Sequence, residues 1–335
     1  MSSHISRASH ISRTSRTSPL PRRPGRAVAL SALVGTAAAV MATATPAVAA
    51  PAAGAAQPRT EVTCTSDKAG LASRLSKDIQ AVVGDAALKG RVSVALYDRT
   101  TGTECTYQAD QQYDSASVVK VIVLGALLRQ AQEEGRELTS TEHTLTTKMI
   151  TASDNDATTT LWKQLGLTRV SEFLRLAGME RTVPDAEGYW GLTQINAADQ
   201  LKLMKLLTSA NPVLDDSRRA YALDLMNRVI TSQRWGVPAG APSGATAHLK
   251  NGWLQRSSGG WRVHSVGAFT GKGYDYGLAV LTADNTDMPA SVKVIENIAR
   301  KVHADLNGTE VAPLQEMRRQ ALPGTSDGSL VPESK

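Results

Sequence analysis

The sequence lacks the short motifs that identify several large enzyme classes. It has no His-Glu-x-x-His zinc motif and no glycine-rich phosphate loop. Its histidines are not spaced like metal ligands, and those beyond the first fifty residues are His143, His248, His264 and His303. We therefore expect no metal ion and no cofactor.

Acidic residues are absent from the first fifty positions, which contain six arginines. Those arginines account for the whole formal charge of +6, so the rest of the chain carries no net charge. Nucleic-acid-binding proteins usually have a strongly basic surface. The charge distribution therefore argues against a nucleic-acid partner.

The first fifty residues have the pattern of a secretory leader. A basic stretch, PRRPGR, precedes an alanine-rich apolar run, and AVA at 47–49 fits a cleavage site. The apolar run is poor in leucine, which is weak for a permanent span. We predict a signal peptide over 1–50 and a secreted protein without stable membrane insertion. An uncleaved anchor and either general or twin-arginine export stay open.

Two further segments are predicted to lie outside the folded part. Residues 51–65 read as a flexible tether, and residues 307–335 form a polar tail of the kind that stays disordered. The remaining residues, 66–306, are predicted to form one folded, monomeric domain.

Cysteine is scarce, since Cys64 and Cys105 are the only two. In an exported protein a pair of this kind usually forms a disulfide. A catalytic thiol is the alternative, and nothing around either residue favours it. No cysteine lies near the predicted cleavage site, which argues against a lipid anchor.

The hydrophobic patterns predict an α/β (α+β) fold with an antiparallel sheet. A helix capped by Ser66 and Asp67 comes first, followed by a hairpin and by a helix from Ser117. Further helices are predicted over 142–150, 155–164, 169–177, 197–208 and 216–230. Three strands and a final helix complete the chain. We expect terminal helices on one sheet face, a separate helical lobe, and an active site in the cleft between them.

Three short motifs stand out, although each has an ordinary structural interpretation. Ser117-Val118-Val119-Lys120 is the only Ser-x-x-Lys in the chain, and it also fits a capped helix with a solvent-exposed lysine. Ser153-Asp154-Asn155 fits a helix cap, and Lys250-Asn251-Gly252 fits a hairpin turn. Together and in this order they resemble the Ser-x-x-Lys, Ser-Asp-Asn and Lys-Thr-Gly signature of penicillin-recognising serine enzymes.

The first motif also suggests its chemistry directly. Residues three apart lie on one face of a helix, so Lys120 would lie beside Ser117. A lysine within an apolar helix is costly unless it is used, and burial favours its neutral form. A neutral amine can take the serine proton. Backbone N–H groups at the helix start suit a developing oxyanion.

On these motifs the chain resembles the class A β-lactamase and D,D-peptidase superfamily over 66–306. The resemblance implies a β-lactamase/transpeptidase-like fold and a nucleophilic Ser117 with Lys120 as its base. It also implies that Ser153 relays the proton to the leaving nitrogen. The remaining roles it implies are substrate binding by Asn155, Lys250 and Gly252, and an oxyanion hole from the N–H groups of Ser117 and Trp253.

Three departures from the family pattern affect these expectations. Asn251 stands where the family has Thr or Ser, so carboxylate recognition is expected to differ. Only 36 residues separate Ser117 from Ser153, fewer than in common class A enzymes. The Glu-Pro-Glu-x-x-Asn run that carries the deacylation glutamate is absent. Its candidate substitutes are Glu180, Asp185 and Glu187, and Glu187 is the one that we predict.

The predicted function is that of an exported serine hydrolase, acylated at Ser117 by β-lactams, that hydrolyses their amide bond. A D,D-peptidase or esterase acting on cell-wall D-Ala peptides is the alternative, and a non-catalytic wall-binding relative is a third. His248 borders the predicted cleft or has a structural role. Arg234 and Trp235 line the cleft or pack within their loop.

Overall fold

The computed structural model describes residues 61–85, 90–256 and 260–309. The predicted leader, residues 51–60 of the predicted tether and residues 310–335 of the predicted tail lie outside this part. None of the helices described there is long and apolar enough to cross a membrane.

A six-stranded antiparallel sheet forms the centre of the described part. The strands, in chain order, are β1 Thr63–Thr65, β2 Arg91–Asp98, β3 Thr103–Tyr107, β4 Tyr113–Asp114, β5 Gln194–Ile195, β6 Thr246–Arg256, β7 Gly260–Gly271 and β8 Tyr274–Asn285. The order across the six-stranded sheet is β1-β3-β2-β8-β7-β6, and every neighbouring pair is antiparallel, as the hairpin patterns predict. A second sheet contains only the two-residue strands β4 and β5.

Helices cover both faces of this sheet, with the terminal helices on one face as predicted. The first and last helices pack on one face through an apolar core that includes Leu75, Val94, Leu278 and Ile298. The other five form the helical lobe, whose core reaches the opposite sheet face. The helices are α1 Leu71–Val83, α2 Val119–Glu133, α3 Ser140–Thr151, α4 Asn155–Leu176, α5 Ala197–Thr208, α6 Asp216–Asn227 and α7 Met288–Asn307.

The start of the domain differs from its prediction. Helix α1 begins at Leu71 after Gly70, not at a Ser66/Asp67 cap, because those two residues bind another segment. The hydroxyl of Ser66 and the backbone N–H of Asp67 both donate to the carbonyl of Thr101, in the β2–β3 turn. Strand β1 also lies within the stretch predicted as a tether.

The predicted disulfide between Cys64 and Cys105 is confirmed. The two residues are direct partners in the register of β1 and β3. The bridge therefore fastens the first strand to the sheet.

Candidate active site

Ser117 lies in a 3₁₀ turn, Ala116–Val118, that leads directly into α2. The preceding residue, Ala116, has a φ of 46°, a left-handed conformation that costs free energy in a non-glycine residue. The backbone N–H of Ser115 donates to the carbonyl of Thr193, and this bond fixes the turn against the segment after Trp190. Ser117 is fully buried in this turn.

Lys120 is fully buried, and its side chain reaches the second motif. Its Nζ donates to the carbonyl oxygen of Ser153 at 2.6 Å and to Asn155 Oδ1 at 2.7 Å. A third contact joins Nζ to Ser153 Oγ at 3.0 Å. The structure therefore brings the Ser-x-x-Lys and Ser-Asp-Asn motifs together, as the resemblance implies.

Two buried lysines, Lys120 and Lys250, both donate to the hydroxyl oxygen of Ser153. Lys250 on β6 donates to Ser153 Oγ at 2.9 Å and to the carbonyl of Asn251 at 2.7 Å. Ser153 itself has a φ of 60°, so its hydroxyl is presented by a strained turn. A protonated Lys250 beside this hydroxyl creates a positive local field, which suits an anionic group such as a carboxylate.

Gly252 explains why β6 can approach the nucleophile turn. A Cβ atom at this position would lie 2.8 Å from the backbone nitrogen of Ser117 and 2.9 Å from that of Val118. Only glycine therefore fits at this point of the strand. The backbone of β6 lies beside the N–H groups that would stabilise an oxyanion. Trp253, the next residue, is buried and packs edge-on against Trp235.

Asn251 has a structural task that the family pattern does not predict. Its Nδ2 donates to the carbonyls of Gln233 at 2.8 Å and Trp235 at 2.9 Å. The side-chain amide of Gln233 in turn donates to the carbonyl of Ala152, next to Ser153. The amide donors of Asn251 therefore brace the 231–236 loop. Arg234 fastens the same loop to the end of α6, because its guanidinium donates to the carbonyl of Asn227 at 2.6 Å.

The buried histidines serve structural roles. His248 contacts the carbonyl of Leu223 and the hydroxyl of Thr270, and burial lowers its pKa. His264 accepts the N–H of Thr282 at Nδ1, so its Nε2 donates to the carbonyl of Asp114, directly before the nucleophile turn. Burial lowers the pKa of His264 to about 4, which keeps the ring neutral at pH 7.

The three candidate carboxylates on the loop before β5 differ in their exposure and in their contacts. Glu180 and Glu187 are exposed, while Asp185 accepts the backbone N–H groups of Glu187 and Tyr189 and so holds the loop turn. The same loop places the indole ring of Trp190 with its centroid 5.0 Å from Lys120 Nζ. Trp190 is not among the site residues that the sequence predicts. Its one available signal was a tryptophan in the loop where the deacylation run is expected.

Comparison with known proteins relates this geometry to one family. A family model described as the Beta-lactamase enzyme family matches residues 74–144 and 135–306. The structure of PBP-A has a TM-score of 0.61 and 21% identity, covering 70% of this chain and 97% of that one. A class A β-lactamase from Bacteroides cellulosilyticus DSM 14838 has a TM-score of 0.61 and 17% identity, covering 70% and 98%. These likenesses show the fold.

Curated relatives of similar sequence occur in mycobacteria. The "Putative lipoprotein LppW" of Mycobacterium tuberculosis (strain ATCC 25618 / H37Rv) is 29% identical over 195 residues, which cover 56% of this chain. The protein of the same name from Mycobacterium bovis (strain ATCC BAA-935 / AF2122/97) matches equally. The match spans 62% of the length of these relatives.

Proposed function

Because the chain belongs to the beta-lactamase enzyme family, we propose that it is an exported serine hydrolase that β-lactams acylate at Ser117. The observation that carries the proposal is the position of Ser153 Oγ between Lys120 and Lys250, at 3.0 and 2.9 Å. Such a hydroxyl can pass a proton between a base and a leaving group while a cation holds the substrate. No cofactor and no metal enters the proposed reaction.

Acylation would begin when Lys120 takes the proton of Ser117 as Oγ attacks the β-lactam carbonyl. The backbone N–H groups of Ser117 and Trp253 would stabilise the oxyanion. When the C–N bond breaks, Ser153 would deliver a proton to the leaving nitrogen and regain one from the lysines. Lys250 would attract the substrate carboxylate, and the amide of Asn155 would bind the acyl side chain.

Deacylation is expected to be the slow step. The predicted base, Glu187, is exposed on its loop, as is Glu180. Losing a positioned general base typically slows a step 10²–10⁴-fold. The exposed position of both glutamates also favours a second candidate, a D,D-peptidase or esterase that uses the same acylation and acts on D-Ala peptides of the cell wall.

A time-resolved reaction with a fluorescent penicillin tests the proposal. We expect a burst near one equivalent, slow turnover, and an acyl-enzyme visible by intact mass. Ser117→Ala should abolish labelling, while Ser115→Ala, two residues earlier, should leave it largely intact. Labelling of Ser117→Ala at the normal rate would refute the assignment of Ser117 as the nucleophile. A wild-type protein that is not labelled would favour the interpretation as a non-catalytic relative.

The same experiment separates the two catalytic candidates and tests Glu187. Release of D-Ala from a D-Ala-D-Ala peptide, with a penicillin adduct that persists, would support the peptidase. If Glu187 is the base, Glu187→Gln should prolong the acyl-enzyme without slowing its formation. Fast hydrolysis without a burst, unchanged by that substitution, would show that water is activated in another way.

Export is part of the proposal, with a monomeric protein that is not inserted in the membrane. The mycobacterial relatives are named lipoproteins, which suggests the cell envelope. In this chain both cysteines are joined in the disulfide, so neither offers a thiol for a lipid. We therefore propose secretion without a lipid anchor.

A further inference from the structure

Trp190 contacts three of the segments that build the candidate site. Its carbonyl oxygen lies 3.3 Å from the hydroxyl of Ser115, in the nucleophile turn. Its indole N–H donates to Thr159 Oγ1 of α4 at 3.2 Å, and its ring centroid lies 5.0 Å from Lys120 Nζ. The side chain is 3% exposed, so the ring has little freedom to leave this position.

A cation within about 6 Å of an indole centroid is attracted by the negative face of the ring, most strongly where water is excluded. The charge of Lys120 changes during the proposed acylation, because the amine gains a proton from Ser117. An interaction that strengthens as this charge develops stabilises the transition state.

We propose that Trp190 is a positioning residue for acyl transfer, holding Lys120 in place and stabilising the positive charge that it gains from Ser117. The inference rests on the proposed function and adds a residue outside its three motifs. Lys120 remains the group that moves the proton, and Trp190 acts only through it.

This role has a signature that a purely structural role lacks. Without the ring, the charged form of Lys120 is less favoured, so the acid limb of the acylation rate should move to lower pH. The resulting weaker base should also lower the rate plateau at high pH. A lysine that is merely displaced would react more slowly at every pH, without a shift of the midpoint.

Other charged groups on the surrounding elements also influence this profile. They are Lys250 on β6, Asp154 at the start of α4, and Asp185 and Glu187 on the loop before Trp190. They are identical in all variants of a Trp190 series, so differences within the series report on the ring.

The test is the penicillin acylation rate of the full mature protein from pH 5 to 10 for wild type, Trp190→Phe and Trp190→Leu. We expect Trp190→Leu to shift the midpoint down by about half a unit to one unit and to lower the plateau. Trp190→Phe keeps an aromatic face and should lie between the two. Thr159→Val removes only the indole hydrogen bond and should shift the midpoint less than Trp190→Leu.

Site-specific replacement of Trp190 by tryptophans with one to three ring fluorines keeps the shape while weakening the ring face. The midpoint should fall with each fluorine, even if Trp190→Leu folds poorly. A constant midpoint across this series would overturn the inference, as would a uniform loss of rate in Trp190→Leu. Because these results require acylation at Ser117, they leave the proposed function intact, whereas labelling of Ser117→Ala would refute that function itself.

Discussion

Replacing Gly252 by alanine tests whether the close approach of β6 to the nucleophile turn matters for acylation. The added Cβ would lie 2.8 Å from the nitrogen of Ser117, 2.9 Å from that of Val118 and 3.1 Å from the carbonyl oxygen of Ser115. All three are backbone atoms, so no side-chain rotation relieves the contact. Strand and turn must separate by about half an ångström or more.

This separation should lower both the stability of the fold and the acylation rate, but by different amounts. Overpacking of a tight contact typically lowers the free energy of unfolding by about 1–3 kcal/mol. The oxyanion donors are more sensitive, because removing one such donor typically costs about 10²–10³-fold in rate. Gly252→Ala should therefore remain folded at 25 °C but acylate about a hundredfold more slowly.

Gly277→Ala on β8 is the matched control. Its Cβ would lie 2.5 Å from the ring of Tyr97, so it also introduces a steric clash, but β7 separates this strand from β6. Chemical denaturation would give the stability of each variant, and fluorescent-penicillin labelling would give the acylation rate of the folded fraction. If the Gly252→Ala variant is labelled at the wild-type rate, the close approach of β6 does not matter for acylation. An equal loss of rate in Gly277→Ala would also contradict this role.

Two further predictions concern stability. Reducing the Cys64–Cys105 bridge, which spans 41 residues, should lower the free energy of unfolding by about 4 kcal/mol. Calorimetry should then show a lower melting temperature. Two titratable thiols in the native protein would contradict this prediction. Acid should destabilise the protein in two ranges. Burial alone would raise the pKa of Glu142, but hydrogen bonds from Arg136, the backbone of Thr139 and Gln164 outweigh it and lower the pKa to about 2. This carboxylate therefore stabilises the fold above pH 4.5, and about 3 kcal/mol is lost as the pH falls from there to about 2. Burial lowers the pKa of His264 to about 4, so the fold favours the neutral ring. The stability that the neutral ring contributes is therefore lost as the pH falls from 6.5 to about 4. Glu142→Gln should flatten the lower range in urea unfolding curves, and an unchanged slope there would contradict the assignment.

The order of helices and strands was predictable because each long element has its own apolar period. Strands β6, β7 and β8 and helix α7 are regular enough for this. The pair β4 and β5 was not predictable, since a two-residue strand has no period. These strands pair Tyr113 with Ile195 and Asp114 with Gln194, and they thereby lead into Ser115 at the nucleophile turn.

The candidate site was predictable to the extent that its motifs are local. Ser-x-x-Lys, Ser-Asp-Asn and Lys-Asn-Gly are each readable within a few residues, and the structure brings Lys120, Ser153, Asn155 and Lys250 together. The catalytic roles assigned to these residues stay predictions. The bracing of the 231–236 loop by Asn251 depends on hydrogen bonds that join residues 16 and 18 positions apart, which a local pattern does not contain.

Trp190 shows the same limit more clearly. Its contact with Lys120 joins residues 70 positions apart, and no motif contains both. The family's glutamate-containing run is absent from this loop, so the sequence alone suggests that the site has lost a carboxylate. The structure adds that this loop places an aromatic ring beside the amine of Lys120.

The distribution of strain favours a catalytic protein over a non-catalytic wall-binding relative. In the described part of the chain four non-glycine residues have a positive φ, and two of them, Ala116 and Ser153, flank the candidate chemistry. Each such conformation costs about 1–3 kcal/mol and persists only where its surroundings enforce it. Two fully buried lysines that share the hydroxyl of Ser153 add a desolvation cost. A surface that only binds wall peptides needs neither feature, whereas acyl transfer requires both a fixed nucleophile and an amine beside it.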